Sequence, residues 1–360
     1  MKKIKKIPTA ARVIFIMTAI CVCVHMVLYK SPSFADFFNS TAGYCYRLVT
    51  AKITEILPFS FAEFLLFSLP LILVVLCVLL CTYSMRSKVY FIRTVCFVLC
   101  IPAVIYCMFV TGFASGYRGA TLDEKLSLNK KEVSAEELYH TAMSVTEELN
   151  ASVSQVDFLP GGESVMPFSL FELSDKLCDA YDSVTEKYDF IDDYRSSVKP
   201  LAISKYMTYT HISGIYTFFT GEANINTNYP DYIVVYTAAH EMAHQRGISK
   251  EDEANFVAFL VCRESEDPYI RYCAALNMYQ YLANALYETD STLFSSVYYS
   301  LDKKVTGELG AYSRFFEKYR DSTASKVSDS LNEAYLKSQG TEGVKSYGMV
   351  VDLAVAYYEK

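Results

Sequence analysis

The chain has 360 residues, of which 52% are hydrophobic and 20% charged, with a formal net charge of −7; this excludes intrinsic disorder and a collagen-like repeat. The charge is split, with eleven Lys/Arg against three Asp/Glu over residues 1–113 and twenty-two against thirty-seven over residues 114–360. A basic, apolar front is joined to an acidic body, and the acidic body argues against a nucleic-acid partner.

Three windows, about 13–29, 64–83 and 94–113, contain no Lys, Arg, Asp or Glu. Each approaches the roughly 20 residues that a bilayer core demands of a helix. They predict a multi-pass membrane domain over residues 1–113, with the lipid bilayer as partner. Pro70 and Pro102 lie inside two of the windows, which membrane helices tolerate. Lys2, Lys3, Lys5, Lys6 and Arg12 precede the first window, and Arg86, Lys88 and Arg93 crowd the short link between the second and third. Lys30, Arg47 and Lys52 are spread over a longer loop. Positive-inside therefore puts the N-terminus in the cytoplasm and everything after Phe113 outside the cell membrane. No small-residue cleavage site follows the first window, so an uncleaved anchor is favoured over a signal peptide. Eight of the eleven cysteines fall in this front part and no CxxC occurs. Neither a disulfide framework nor a thiolate zinc cage is expected.

Residues 114–130 read as a polar linker and residues 131–360 as a mainly α (α+β) domain. Ser134 with Glu137 forms a capping box ahead of a helix to about Asn150. Pro160-Gly161-Gly162 marks a turn, and a second helix follows over about 169–188. Residues 203–219 are rich in β-branched and aromatic side chains, which predicts a strand broken at Ser213-Gly214. A polar loop over 221–230 leads through Pro230 into a helix from Asp231. Further helices are expected over about 250–266, 267–287, 291–299, 307–319, 324–338 and 343–358. The thirty tyrosines are read as packing residues with solvated hydroxyls.

Two of the five histidines stand in His240-Glu241-Met242-Ala243-His244. Residues four apart share a helical face, so both imidazoles can reach one ion while Glu241 handles the proton of a water. This is the HExxH pattern of zinc-dependent peptidases. Gly247 is a natural helix stop, and Ser249 with Asp252 suggests the next helix start, so two helices run back along each other. Glu253 then comes level with His244 and is the favoured third ligand, with Glu251 and Asp252 as alternatives. A metzincin site would need His at position 250, where Lys250 offers no lone pair at neutral pH.

The run from His240 through Gly247, followed by Glu251-Asp-Glu-Ala-Asn-Phe-Val-Ala-Phe-Leu, resembles an uncharacterised family of bacterial multi-pass membrane proteins with a predicted zinc-peptidase domain. It is also similar to the zinc-ligand helix of small bacterial peptidases that cleave phage-type repressors, and to membrane zinc peptidases whose helix reads Glu-Ala-Asp. The resemblance implies a zincin-like fold of the gluzincin type and a bound Zn²⁺. It also implies that the Glu before Ala, here Glu253, is the third ligand. Asn255 stands where some of those relatives have Asp.

The reading that follows is a membrane-anchored zinc metallopeptidase. His240, His244 and Glu253 hold the metal, Glu241 is general base, and a peptide or protein substrate pairs with the strand at Gly214, Ile215 and Tyr216. Two rivals are a non-catalytic zinc-binding sensor or scaffold and a zinc hydrolase of a cell-wall amide. His211, Glu222, Asn224, Lys345 and Tyr347 are weaker candidates for the cleft. His25 and Glu63 belong to the membrane part, and His140 lies on a polar helix.

Overall fold

The apolar runs become long helices because no side chain in them competes for backbone hydrogen bonds and lipid offers no alternative partner. In the computed structural model these are α1 (Thr9–Lys30), α4 (Phe61–Ser84) and α5 (Lys88–Gly112), of 22, 24 and 25 residues and apolar enough to cross a membrane. The structure describes residues 7–340 and 349–360; Lys2, Lys3, Lys5, Lys6, Lys345 and Tyr347 lie outside them. Two compact units are present, one of residues 1–119 with 217–222 and one of residues 120–216 with 223–360.

In the first unit α1 and α5 run parallel. Ala11 clusters with Cys96 and Cys100 near their starts, and Leu28 with Val110 and Ala114 near their ends. The stretch after α1, read as a loop, is instead helical: α2 (Pro32–Phe38), a π-helical turn (Asn39–Gly43) and α3 (Tyr44–Glu55). Arg47 explains this order. Fully buried, it donates to the Asn39 carbonyl at 2.7 Å, the Asn39 side-chain oxygen at 2.9 Å and the Gly112 carbonyl at 3.0 Å. Gly43 makes room, since a Cβ there would lie 2.8 Å from the Arg47 guanidinium. Residues 217–222 belong to this unit through backbone contacts. Tyr46 donates to the Phe218 carbonyl at 3.0 Å and Thr54 to the Thr220 carbonyl at 3.1 Å. The Glu222 carboxylate accepts the first two amides of α4, from Phe61 and Ala62, at 2.8 and 2.9 Å. An anion at a helix N-terminus satisfies orphan donors and the dipole together. Glu63, one turn in, is buried beside the Ser60 cap.

The second unit is helical around one large apolar core. It contains α6 (Leu122–Leu126), α7 (Ala135–Ser152), α8 (Leu170–Thr185), β1 (Lys199–Pro200), α9 (Ser204–Met207), β2 (Gly214–Thr217) and β3 (Glu222–Ile225), the two hairpin strands running into residues of the first unit. Then come α10 (Asp231–Gln245), α11 (Glu251–Glu264), α12 (Pro268–Thr289), α13 (Ser291–Tyr299), α14 (Lys303–Glu317), α15 (Thr323–Ser338) and α16 (Met349–Tyr358). The expected linker carries α6, started by a Thr121–Glu124 capping box. Capping boxes also start α7 at Ser134 and α8 at Ser169.

The strand expected over 203–219 is confined to its last third. Residues 204–210 form helical turns in which Ser204 and Thr208 bond back to the Leu201 and Ser204 carbonyls at 2.6 and 2.9 Å. That is the local competition by which hydroxyl side chains leave extended structure. Part of the expected polar loop is a strand, β3, all four of whose residues are buried. β3 is the middle strand in the order β1-β3-β2, parallel to β1 with Lys199 opposite Asn224. Asn224 is accommodated because its amide donates to the Ile215 carbonyl at 3.1 Å. β2 is therefore an edge strand.

Candidate metal centre

Helix α10 is buried nearly all round, and tyrosines hold its neighbourhood through the backbone. Tyr181 donates to the Ala239 carbonyl at 2.7 Å, Tyr194 to Gln245 at 2.5 Å and Tyr236 to Asn255 on α11 at 2.6 Å. These hydroxyls are spent on protein acceptors, where the sequence suggested solvation. The helix ends on Gly247 at φ +92°, with Ile248 N–H returning to the Ala243 carbonyl at 3.1 Å. The left-handed residue and the returning bond form a Schellman-type stop, which turns the chain within a few residues. Helix α11 then starts at Glu251, with Lys250 rather than Ser249 at its cap position.

The four-residue spacing places the His240 and His244 rings 4.6 Å apart and edge-on. Glu251 reaches both: one carboxylate oxygen is 3.2 Å from His240 Nε2, the other 3.5 Å from His244 Nε2. Among the described residues, His240, His244 and Glu251 form a group whose ligand atoms all lie within 4.8 Å of one another. Ligands on a tetrahedral ion at 2.0–2.1 Å are about 3.3 Å apart, close to the two separations between Glu251 and the imidazoles. His244 Nδ1 lies 2.7 Å from the Ile248 carbonyl, an outer contact that fixes the ring and turns Nε2 toward the group. His240 Nδ1 is buried with no hydrogen-bond partner among the described residues.

Glu253, the expected third ligand, is not brought to the imidazoles. Its carboxylate accepts from the Leu122 amide at 3.0 Å, at the start of α6, and from Lys250 at 2.9 Å. The turn is tight enough that the first residue of α11 already lies level with the last turn of α10. Two residues further on is about 200° around the helix, which carries Glu253 to another face. Asp252 is also buried; burial and then Glu253 raise it to about 6.

The electrostatics follow from this packing. Burial disfavours the His244 cation, but Glu251 outweighs burial and raises the imidazole to about 9. Burial likewise works to raise Glu251, and the two imidazoles hold it well below the usual carboxylate range. Such a cluster is arranged around positive charge. Glu241 is raised by burial, against the neighbouring imidazoles and a backbone hydrogen bond from Tyr216. Gly214 lies directly over it: a Cβ there would fall 2.7 Å from Glu241 Cγ and Oε1. The substrate trio thus divides. Gly214 is spaced for Glu241, Ile215 is 43% exposed on the edge strand, and Tyr216 is buried with its ring stacked 6.5 Å from His244.

The weaker candidates fall away from the group. His211, at φ +60°, is 2.8 Å from the Tyr319 carbonyl and packs on Phe316. Glu222 caps α4, Asn224 braces β3, and His140 is an exposed helix residue near Glu136. Two residues were not singled out by the sequence. Arg246, fully buried, stacks over Tyr181 at 4.2 Å and donates to the Tyr194 carbonyl at 2.6 Å, tying the end of α10 down. Tyr281 of α12 has a phenol raised first by burial and then by Glu251. Its signal was diluted among thirty tyrosines.

Fold and site together define a mostly helical membrane protein with three membrane-spanning candidates and a buried group of two histidines and a glutamate able to hold a metal. Residues 44–355 match the family described as "Protein of unknown function (DUF3810)", and the chain belongs to that family. No curated protein and no solved structure matches it.

Proposed function

We propose that the chain is a membrane-anchored, zinc-dependent peptidase whose metal ligands are His240, His244 and Glu251. The observation that supports this most directly is Glu241, a buried carboxylate beside the ligand group and beneath Gly214 of an edge strand. A purely structural ion has no need of it. Zinc held by these three residues would acidify a water and polarise a carbonyl. Glu241, its proton affinity raised by burial, accepts a proton from the attacking water and delivers it to the leaving amine. As the edge strand, β2 offers its outer backbone groups to an extended peptide, apart from the Tyr216 N–H that serves Glu241, with the exposed Ile215 placed to meet its side chains. Zincin-like architecture and the gluzincin class belong to this reading. So does the location: the basic residues flanking the first window and the α4–α5 link favour a cytoplasmic N-terminus in the cell membrane and an extracytoplasmic second unit. The parallel course of α1 and α5 agrees with two spans crossing in one sense.

The test uses the full-length protein in detergent, with metal analysis and digestion of a peptide library. One zinc in both wild type and Glu241→Gln, with cleavage by wild type alone, is the expected result. Zinc without turnover of any peptide would overturn catalysis and leave a zinc-binding sensor or scaffold.

A further inference from the structure

Arg118 directly follows the 3-10 turn (Ala114–Tyr117) after α5, and its guanidinium carbon lies 3.6 Å from the centre of the Tyr29 ring. Its Nε and Nη2 are buried with no hydrogen-bond partner among the described residues. Burial weakens its hold on the proton, and the groups acting the other way are the Tyr29 and Tyr117 phenols, with no carboxylate among them. The nearby Asp36 faces Gly119, where an added Cβ would meet its oxygen at 2.1 Å. His25, one helical turn before Tyr29, packs on the same ring at 5.2 Å. Its Nδ1 is 2.9 Å from the Tyr106 hydroxyl. With that hydroxyl donating, the ring proton rests on Nε2, which is also buried and without a partner among the described residues.

Buried N–H groups left unpaired are rare in folded proteins, and those of a charged group are costlier still. Both groups pack on the one Tyr29 ring, and an oxyanion is the kind of partner their N–H donors lack. The place selects the anion. His25 and Tyr29 lie in the last two turns of α1, and Arg118 lies just past α5, at the level where a spanning helix meets headgroups. A phosphodiester carries a single negative charge, which one guanidinium neutralises, and its oxygens suit the guanidinium fork. We propose that Arg118 and His25, framed by Tyr29, bind the phosphate of one phospholipid headgroup at the shared end of α1 and α5.

The experiment places the full-length protein in nanodiscs of phosphatidylcholine with graded phosphatidylglycerol and counts co-purified lipid by native mass spectrometry after detergent extraction. One tightly held phospholipid is expected on wild type. Arg118→Gln should weaken its retention at least about tenfold, the loss of a charge-assisted contact. Arg118→Lys keeps the charge without the fork and should fall between them, and an unchanged thermal melt of either variant shows that the fold is kept. Equal retention by wild type and a folded Arg118→Gln overturns the proposal. Release of the lipid by millimolar inorganic phosphate overturns the headgroup assignment and gives the site to soluble phosphate.

Discussion

Both units bury charge, and they do so in opposite ways. In the membrane unit, Arg47 is surrounded by neutral acceptors, two carbonyls and an amide oxygen, each at 3.0 Å or less. In the helical unit, His240, His244 and Glu251 face one another, and Glu241 is buried next to them. Neutral acceptors settle a charge permanently and pin the backbone that supplies them. Groups that titrate against one another leave a site whose charge depends on what enters it. The first arrangement builds structure, and the second is suited to chemistry.

Two substitutions strike at this contrast with the largest effects. Glu241→Gln should keep the metal yet lower peptide cleavage by about 10²–10⁴-fold, the usual worth of a general base. Glu251→Ala should abolish stoichiometric metal, read by elemental analysis. In the other unit, Arg47→Ala should leave any activity per folded molecule unchanged. It should cost about 3–5 kcal/mol of stability, because a buried cavity opens and three acceptors lose their donor. Thermal unfolding in detergent reads that cost. If Arg47→Ala removed turnover while leaving the melt in place, the division between the two kinds of burial would fail.

A finer distinction separates two glutamates two residues apart. Glu253→Ala should retain full metal and lose about 1–3 kcal/mol, since Leu122 N–H and Lys250 are left buried without their acceptor. Metal lost with Glu253 and kept without Glu251 would reverse the assignment made from the geometry.

That pair also shows what the sequence made legible. The spans, the capping boxes at Ser134 and Ser169, the stop at Gly247 and the paired imidazoles all rest on local rules, and local rules can be read from residue order. The third ligand depends on where α11 starts, and one residue of shift turns a side chain by about 100°. Ser249 promised a cap that Lys250 holds instead. β3 was missed because Glu222 and Asn224 look like loop residues until their partners, the start of α4 and the Ile215 carbonyl, arrive from elsewhere in the chain. Arg246 and Arg47 were illegible for the same reason. Each is defined by carbonyls distant in sequence.

The smallest effect concerns a buried acid that belongs to neither pattern. Glu308 on α14 is 1% exposed and accepts from the Ser164 amide at 3.0 Å and from the Tyr272 hydroxyl. Burial raises its carboxyl above 4.5, with the hydrogen bonds from Ser164 and Tyr272 opposing. A carboxyl raised in the folded state stabilises the fold fully below the unfolded value of 4.5, and that contribution is lost as pH rises through the folded value. Wild type should therefore lose part of its stability as pH climbs from 4.5. Glu308→Gln keeps an acceptor for Ser164 but cannot ionise, so its melting temperature should fall less over the same range. An identical pH slope in the two proteins would show that folding leaves the Glu308 carboxyl unshifted, and a wild type that instead gains stability over Glu308→Gln as pH rises through 4.5 would show that Glu308 is held as a settled anion. It would then resemble Arg47 in the membrane unit, a charge that donates to neutral acceptors, and the contrast between the units would narrow to the metal centre alone.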